Sequence, residues 1–289
     1  MSHTLSFLVP TPLEYFATLV AEDAGLNLLE AAAAIAQDEY PQLDVQSVQA
    51  EVDGLARRLG ERLPADASAS HKLAALTRFF HKELGFAGNL NNFYERGNSY
   101  VHQVLQTRRG IPITLAVIFL ELAEQLGLRA QGVAFPGHFL VKLRVAAGEV
   151  VLDPFTGALL SRERLDEFLQ SFRAGTGLPD DAELPVELFL QAASPRQILA
   201  RMLRNLKEIH RAAQDWPRLL AVQQRLVLLL PNDAAERRDR GLVLEALGHR
   251  PAAAADIAHY VQQEPDAPDA ALLRERLTLL RQRGEAPFD

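Results

Sequence analysis

The chain of 289 residues contains no cysteine. That excludes disulfides, thiolate metal sites and every thiol nucleophile, and it fits a reducing compartment. No apolar stretch approaches the ~20 residues of a membrane-spanning helix. The opening residues, MSHTLSFLVPTPLEYF, lack a charged segment followed by a long apolar run, so no signal peptide and a cytoplasmic location are expected. Positive charge is not in excess either: the formal net charge is −7, which gives no reason to expect nucleic-acid or membrane binding. The eight histidines form no His-x-x-x-His or His–carboxylate cluster, so neither a metal nor a cofactor is expected. What remains is the make-up of a soluble globular protein, 48% hydrophobic and 23% charged, of a length that suits two modest domains.

From Leu13 to Leu84 the pattern predicts helices. Leu13–Ala24 and Leu28–Gln37 are the first two. Asp44 is placed to cap a third, whose Val45, Val48, Val52, Leu55 and Leu59 repeat at three- and four-residue steps before Pro64 stops it. Ser68 or Ser70 caps a fourth, with Leu73, Leu76, Phe80 and Leu84 inward and Gly85 ending it. Phe86–Asn98 is a polar loop rich in Gly and Asn, and Asn98 or Ser99 is placed to cap the short helix Tyr100–Thr107. Asn91, Asn92, Tyr94 and Arg96 are candidates to line a pocket, or they supply only turn geometry.

The stretch Arg108–Phe155 organises the rest. After Gly110, with Pro112 in the first turn, Ile113, Leu115–Leu120, Leu122, Ala123 and Leu126 cover most of a helix circumference. Only Thr114, Glu121 and Gln125 form a polar stripe, so this helix is central rather than amphipathic. Gly127 ends it. Val133, Phe135, Phe139, Val141, Leu143 and Val145 suggest strands flanking Pro136-Gly137, and Ala146–Glu149 is a hairpin turn into Val150–Asp153. Antiparallel pairing through that turn brings His138 and Asp153 to the same end of the ladder.

Buried helix, strand, G-H-F at Gly137–Phe139 and L-D-P-F at Leu152–Phe155 resemble the core of the transglutaminase-like superfamily. More closely, R-R-G-I-P-I-T-L at Arg108–Leu115 with P-G-H-F at Pro136–Phe139 resembles the bacterial SirB-type branch, whose members carry tetratricopeptide-like repeats behind the core. The resemblance covers Asn91–Arg164 and, more loosely, the C-terminal third. In catalytic members a cysteine opens the central helix, activated by the His and oriented by the Asp. Alignment on Gly110 and Ala116 puts Pro112 in its place.

His138 and Asp153 therefore stand as the base–orienter part of a triad without its nucleophile. The structural alternative makes Asp153 a turn cap before Pro154 and His138 a strand-end residue holding that turn. Thr114 is the nearest hydroxyl in sequence to the expected cysteine, but two helical residues turn it by about 200° from that site, and a bond to a backbone carbonyl or a capping role suits it better. Arg108 and Arg109, ahead of the helix N-terminus, are placed to hold a carboxylate or phosphate, or are solvated or paired with Glu95 or Glu121.

Beyond Phe155, Ser161 caps a helix to Phe172, and Arg173–Pro185 reads as a linker. Ser194-Pro195 opens a long helix to Ala213. Pro231 and Pro265 lie 34 residues apart, the tetratricopeptide period. Gly241 and Ala253 fall on that repeat's small-residue positions, whereas the preceding unit has Lys207 and Leu219 there. The expectation is an α+β fold: N-terminal helices and a transglutaminase-like core of a central helix and antiparallel strands over 1–172, a linker region over 173–193, and an all-helical repeat-like domain over 194–289. The functional expectation is a cytoplasmic pseudoenzyme that binds a peptide or small acidic ligand at Arg109, Thr114, His138 and Asp153 and recruits a protein partner through its repeats. The rival is a cysteine-independent hydrolase using His138 and Asp153 with water or Thr114. A third reading is a purely structural scaffold.

Overall fold

The computed structural model describes residues 10–176 and 185–282; residues 177–184 of the expected linker lie outside them. The chain divides into two compact units, one of residues 23–202 and one of residues 1–22 with 203–289. The first helix, α1 (Pro12–Leu19), belongs to the second of these, and Thr11 and Glu14 close a capping box at its start.

In the unit of residues 23–202, α2 (Leu28–Ala34) continues as a 3-10 turn over Ile35–Asp38. Asp44 caps α3 (Val45–Gly60) by accepting from Gln46 N at 3.0 Å. The five apolar residues that predicted α3 are all buried, because their spacing puts them on one stripe. Ser68, rather than Ser70, caps α4 (Ala69–Arg78), which runs into a π turn over Phe79–Glu83. Gly85, at φ +76°, then turns the chain.

A short parallel pair follows: β1 (Ala87–Gly88) lies beside β2 (Arg109–Gly110). Between them α5 (Val101–Thr107) begins at Tyr100 with no side-chain cap. Neither Asn98 nor Ser99 caps it, because the Asn98 amide is drawn into the preceding loop, donating to Asn92 O at 2.7 Å and Phe93 O at 3.1 Å. The central helix is α6 (Pro112–Gln125), with Pro112 in its first turn and Ile113–Phe119 continuously buried. Phe80 stacks on Phe86 at 4.3 Å and meets Phe119 edge-on at 5.4 Å, which ties the π turn to the middle of α6. Gly127, at φ +71°, closes the helix as expected.

Beyond α6 the strands β3 (Ala130–Val133), β4 (Leu140–Val145), β5 (Gly148–Leu152) and β6 (Leu159–Leu160) form an antiparallel sheet in that order. Val145 pairs with Gly148 across a two-residue turn. α7 (Arg162–Thr176), capped by Ser161, sets Leu165 and Leu169 against Val133, Phe135, Leu140 and Val151. The fold class is therefore α+β, as the sequence predicts.

The division between the units falls within α8 (Pro195–Ala212), which Ser194 caps by accepting from Gln197 N at 3.2 Å. The helical unit continues with α9 (Trp216–Leu229), α10 (Ala234–Ala246), α11 (Arg250–Gln263) and α12 (Ala270–Gln282). A Cβ on Gly241 would stand 3.0 Å from Ile257 Cγ1 and 3.3 Å from Ala253 O, so α10 and α11 approach as closely as the two small residues predict. Lys207 takes the equivalent place on α8 and stays buried by bonding Glu236 at 2.7 Å and Asp239 at 2.6 Å. Among the described residues no helix is long and apolar enough to cross a membrane.

Candidate functional site

The start of α6 carries Pro112 and no cysteine. Thr114, two residues on, faces the core: it is fully buried, and its Oγ1 has no hydrogen-bond partner. The carbonyl bond or capping role expected of it is not made. About 200° of helical rotation from Pro112 carries the hydroxyl away from the helix end and into the packed side.

Val141 pairs with Leu152, so residues 138 and 153 do extend the same end of the β4–β5 ladder. They do not bond to each other. Asp153 Oδ1 accepts from Phe155 N at 2.9 Å, Oδ2 accepts from Thr156 Oγ1 at 2.8 Å, and its carbonyl accepts from Gly157 N at 2.8 Å. The carboxylate thus closes the Asp153–Gly157 turn, an Asx cap. His138 donates its backbone N–H to Phe135 O at 3.0 Å and lies flat on the Phe168 ring of α7, 3.9 Å away at an interplanar angle of 14°. Burial holds the imidazole below its ordinary pKa; the nearby Asp153 opposes this and Arg201 and Arg164 reinforce it. His138 is a neutral stacked ring rather than an imidazolium held by a carboxylate.

The other expected site residues are occupied separately. Arg108, at φ +59°, ends α5 and lays its guanidinium over Phe86 at 4.6 Å, with Glu51 at 3.6 Å. Arg109 donates from one nitrogen to Gly85 O at 2.7 Å and Arg108 O at 2.9 Å. Neither pairs with Glu95 or Glu121. In the loop before α5, Asn89 accepts from Asn92 N at 3.1 Å and donates to Asn98 at 3.0 Å, closing the loop on itself. Asn91 and Tyr94 are exposed, Tyr94 edge-on to Phe93, and Arg96 pairs with Glu39 at 3.1 Å. These residues are not gathered around His138 and Asp153 in one bonded site.

Sequence reasoning passed over His81, which the π turn presents to the Asp153–Gly157 turn. A Cβ on Gly157 would fall 2.5 Å from its Cδ2. Its Nδ1 sits 2.9 Å from Phe86 O, and its Nε2 is buried without a protein partner. Burial lowers its pKa, the Phe86 carbonyl and Asp153 oppose that, and Lys82 adds to it. A π turn inside a helix is the local feature that marks such positions, but the apolar spacing Leu76, Phe80, Leu84 reads as continuous α-helix.

These positions hold no cysteine and no bonded His–Asp pair, within a framework of central helix and antiparallel strands. Comparison with known proteins agrees with that framework. The transglutaminase-like superfamily model matches residues 46–204 and a tetratricopeptide repeat model matches residues 206–278. A UPF0162 protein of Xylella fastidiosa (strain 9a5c) is 38% identical over 257 residues, covering 89% of this chain and 90% of that protein. A UPF0162 protein of Pseudomonas aeruginosa is 33% identical, covering 86% and 89%, and UPF0162 protein YchA of Escherichia coli (strain K12) is 26% identical, covering 87% and 90%. No solved structure matches the chain. With a matching core, a cysteine-free helix start and repeats behind it, this chain belongs to the transglutaminase-like superfamily and carries C-terminal tetratricopeptide repeats.

Proposed function

We propose that this protein is a cytoplasmic, non-catalytic interaction module, in which the transglutaminase-like core is a scaffold and the helical repeats take a peptide from a protein partner. One observation carries the reading. The helical unit holds a groove of about 440 Å³ whose lining includes Trp216, Leu219, Leu242 and Val243, within the size range of ligand pockets. Tetratricopeptide repeats generally mediate protein interactions. A tryptophan beside aliphatic side chains is the composition of an interface anchor point. Lys207, Arg211 and Arg276 also line the groove, each already paired with an acid: Lys207 with Glu236 and Asp239, Arg211 with Glu208 and Arg276 with Glu245. With those charges balanced, what the groove fits is a large apolar side chain.

Selection of a random peptide library against the full chain tests this. Enrichment of sequences with a large apolar residue is expected, with affinity falling about tenfold or more in Trp216→Ala, the size of a hot-spot truncation. Leu242→Arg, which puts a charge on the apolar wall, should abolish the enrichment. If no enriched sequence depends on either residue, the groove reading fails. Turnover of peptides, amides or esters by the parent protein, lost in His138→Ala, would support the hydrolase reading in its place.

A further inference from the structure

A second cavity, of about 570 Å³, lies within the unit of residues 23–202, walled by α4 with its π turn on one side and by β4, β5 and the Asp153–Leu159 segment on the other. Leu73, Ala74, Val145, Val150 and Leu159 give it apolar walls. The charged side chains that line it are Arg78 and Lys82, and no carboxylate is among the lining residues. Lys82 makes no ion pair among the described residues, and the contact of Arg78 with Glu83 is long at 3.6 Å. Two polar atoms in the same wall, His81 Nε2 and Thr77 Oγ1, are buried without a protein partner. Buried polar atoms rarely stay unpaired.

The wall is built around His81. The Phe86 carbonyl only accepts, so the Nδ1 beside it carries the proton, and the neutral ring leaves Nε2 a buried acceptor that can bond an anion only after taking a proton. Gly157, at φ +77°, leaves room for the imidazole where any side chain would collide with it. Apolar walls with two cations and no lining carboxylate are complementary to an amphiphile with a single negative head.

We propose that this cavity binds a medium-chain aliphatic carboxylate, its tail on Leu73 and Val150 and its head toward Lys82, Arg78 and the His81 edge. The proposal is independent of the peptide groove, which lies in the other unit. It also makes a proton move. The charged groups that act on the His81 ring are Asp153 and Lys82. Burial lowers the pKa of the ring and an added carboxylate favours its protonation, so binding should take up a fraction of a proton.

Isothermal titration of the full chain with decanoate tests it. Saturable one-to-one binding is expected, with decanol about tenfold weaker because it lacks the charge. Lys82→Gln, an exposed substitution, should weaken decanoate about tenfold, and Ala74→Trp should block it. Titrations at pH 6.5 in two buffers of different ionisation enthalpy should show proton uptake that disappears in His81→Gln. Absence of saturable decanoate binding at ~1 mM overturns the proposal. So does equal binding of decanol, or undiminished binding in Lys82→Gln, which stands as the test if Ala74→Trp fails to fold.

Discussion

The imidazole of His138 lies 3.9 Å above the ring of Phe168, nearly parallel to it, and makes no bond to the carboxylate of Asp153. A catalytic imidazole is worth having because a carboxylate stabilises its charged form and fixes its tautomer. Burial does the reverse here, favouring the neutral form. Asp153 meanwhile directs both oxygens into its own turn. The two residues of the G-H-F and L-D-P-F motifs are kept at the same end of the ladder, yet each has a structural occupation that explains its presence without chemistry.

Three histidines should make the fold sensitive to mild acid. Burial is the largest cause holding His81, His102 and His138 below the ordinary value of 6.5. The unfolded chain therefore binds protons more readily than the folded one just below that pH. Their contribution to stability is whole above pH 6.5 and is lost as pH falls through the folded values. Thermal unfolding should give a flat Tm from pH 8 to 7 and a declining one from 6.5 downward. Replacing all three by Gln should flatten the decline between 6.5 and 5.5. In an NMR titration, Phe168→Ala should raise the His138 pKa toward 6.5; an unchanged value would mean the stack is not what desolvates the ring.

Gly88 and Phe155 should behave as one unit. A Cβ on Gly88 would stand 2.1 Å from the Phe155 ring, while Gly88 N donates to Phe155 O at 3.0 Å. Backbone pairing and ring both press on the glycine, so Gly88→Ala must displace the aromatic. A loss of about 1–3 kcal/mol, the usual cost of overpacking, is expected in denaturant unfolding. Phe155→Ala should recover part of it. In the double-mutant cycle the two losses should fall short of additivity by ~0.5 kcal/mol or more, and simple additivity would contradict the contact.

In the helical unit, Lys207 answers two acids at once, and Arg204 Nε also reaches Glu236 at 2.8 Å. Lys207→Met keeps the stem and removes the charge, leaving Glu236 and Asp239 facing each other. Breaking a buried pair costs ~3–5 kcal/mol, and the remaining Arg204 bond places this loss near the lower end. Lys207→Met with Glu236→Gln should be less damaging than Lys207→Met alone, as read from chemical-denaturation midpoints.

The helices were legible because burial dictates their spacing: the stripe of α3, the all-round apolar α6, and Gly241 with Ala253 follow from period and size alone. Asp44, Ser68, Ser161 and Ser194 cap helices because a short oxygen ahead of an apolar run has one favourable use. Asn98 has the same chemistry and is used otherwise, since Asn89, Asn92 and Asn98 lie close enough to close a loop among themselves. The π turn is hidden because one inserted residue leaves Leu76, Phe80 and Leu84 at four-residue steps. The site was legible only in part. The ladder brings His138 and Asp153 to one end, but the ring that His138 stacks on comes from Phe168, thirty residues away, and no local pattern announces it.

Thr114 gives the sharpest test of the hydrolase reading. Its hydroxyl is fully buried in α6 with no acceptor or donor in reach. An unpaired buried hydroxyl carries a desolvation cost that its removal relieves. Val has the same shape and nearly the same helix propensity, so Thr114→Val should leave the fold intact and raise stability by about 0.5–1 kcal/mol. An upward shift of the denaturation midpoint at unchanged slope is the expected result. A nucleophile would behave differently, because it must touch a base and open to substrate. If Thr114→Val instead loses stability while Thr114→Ser retains it, the hydroxyl is bonded in solution and its role in the core has to be reassigned.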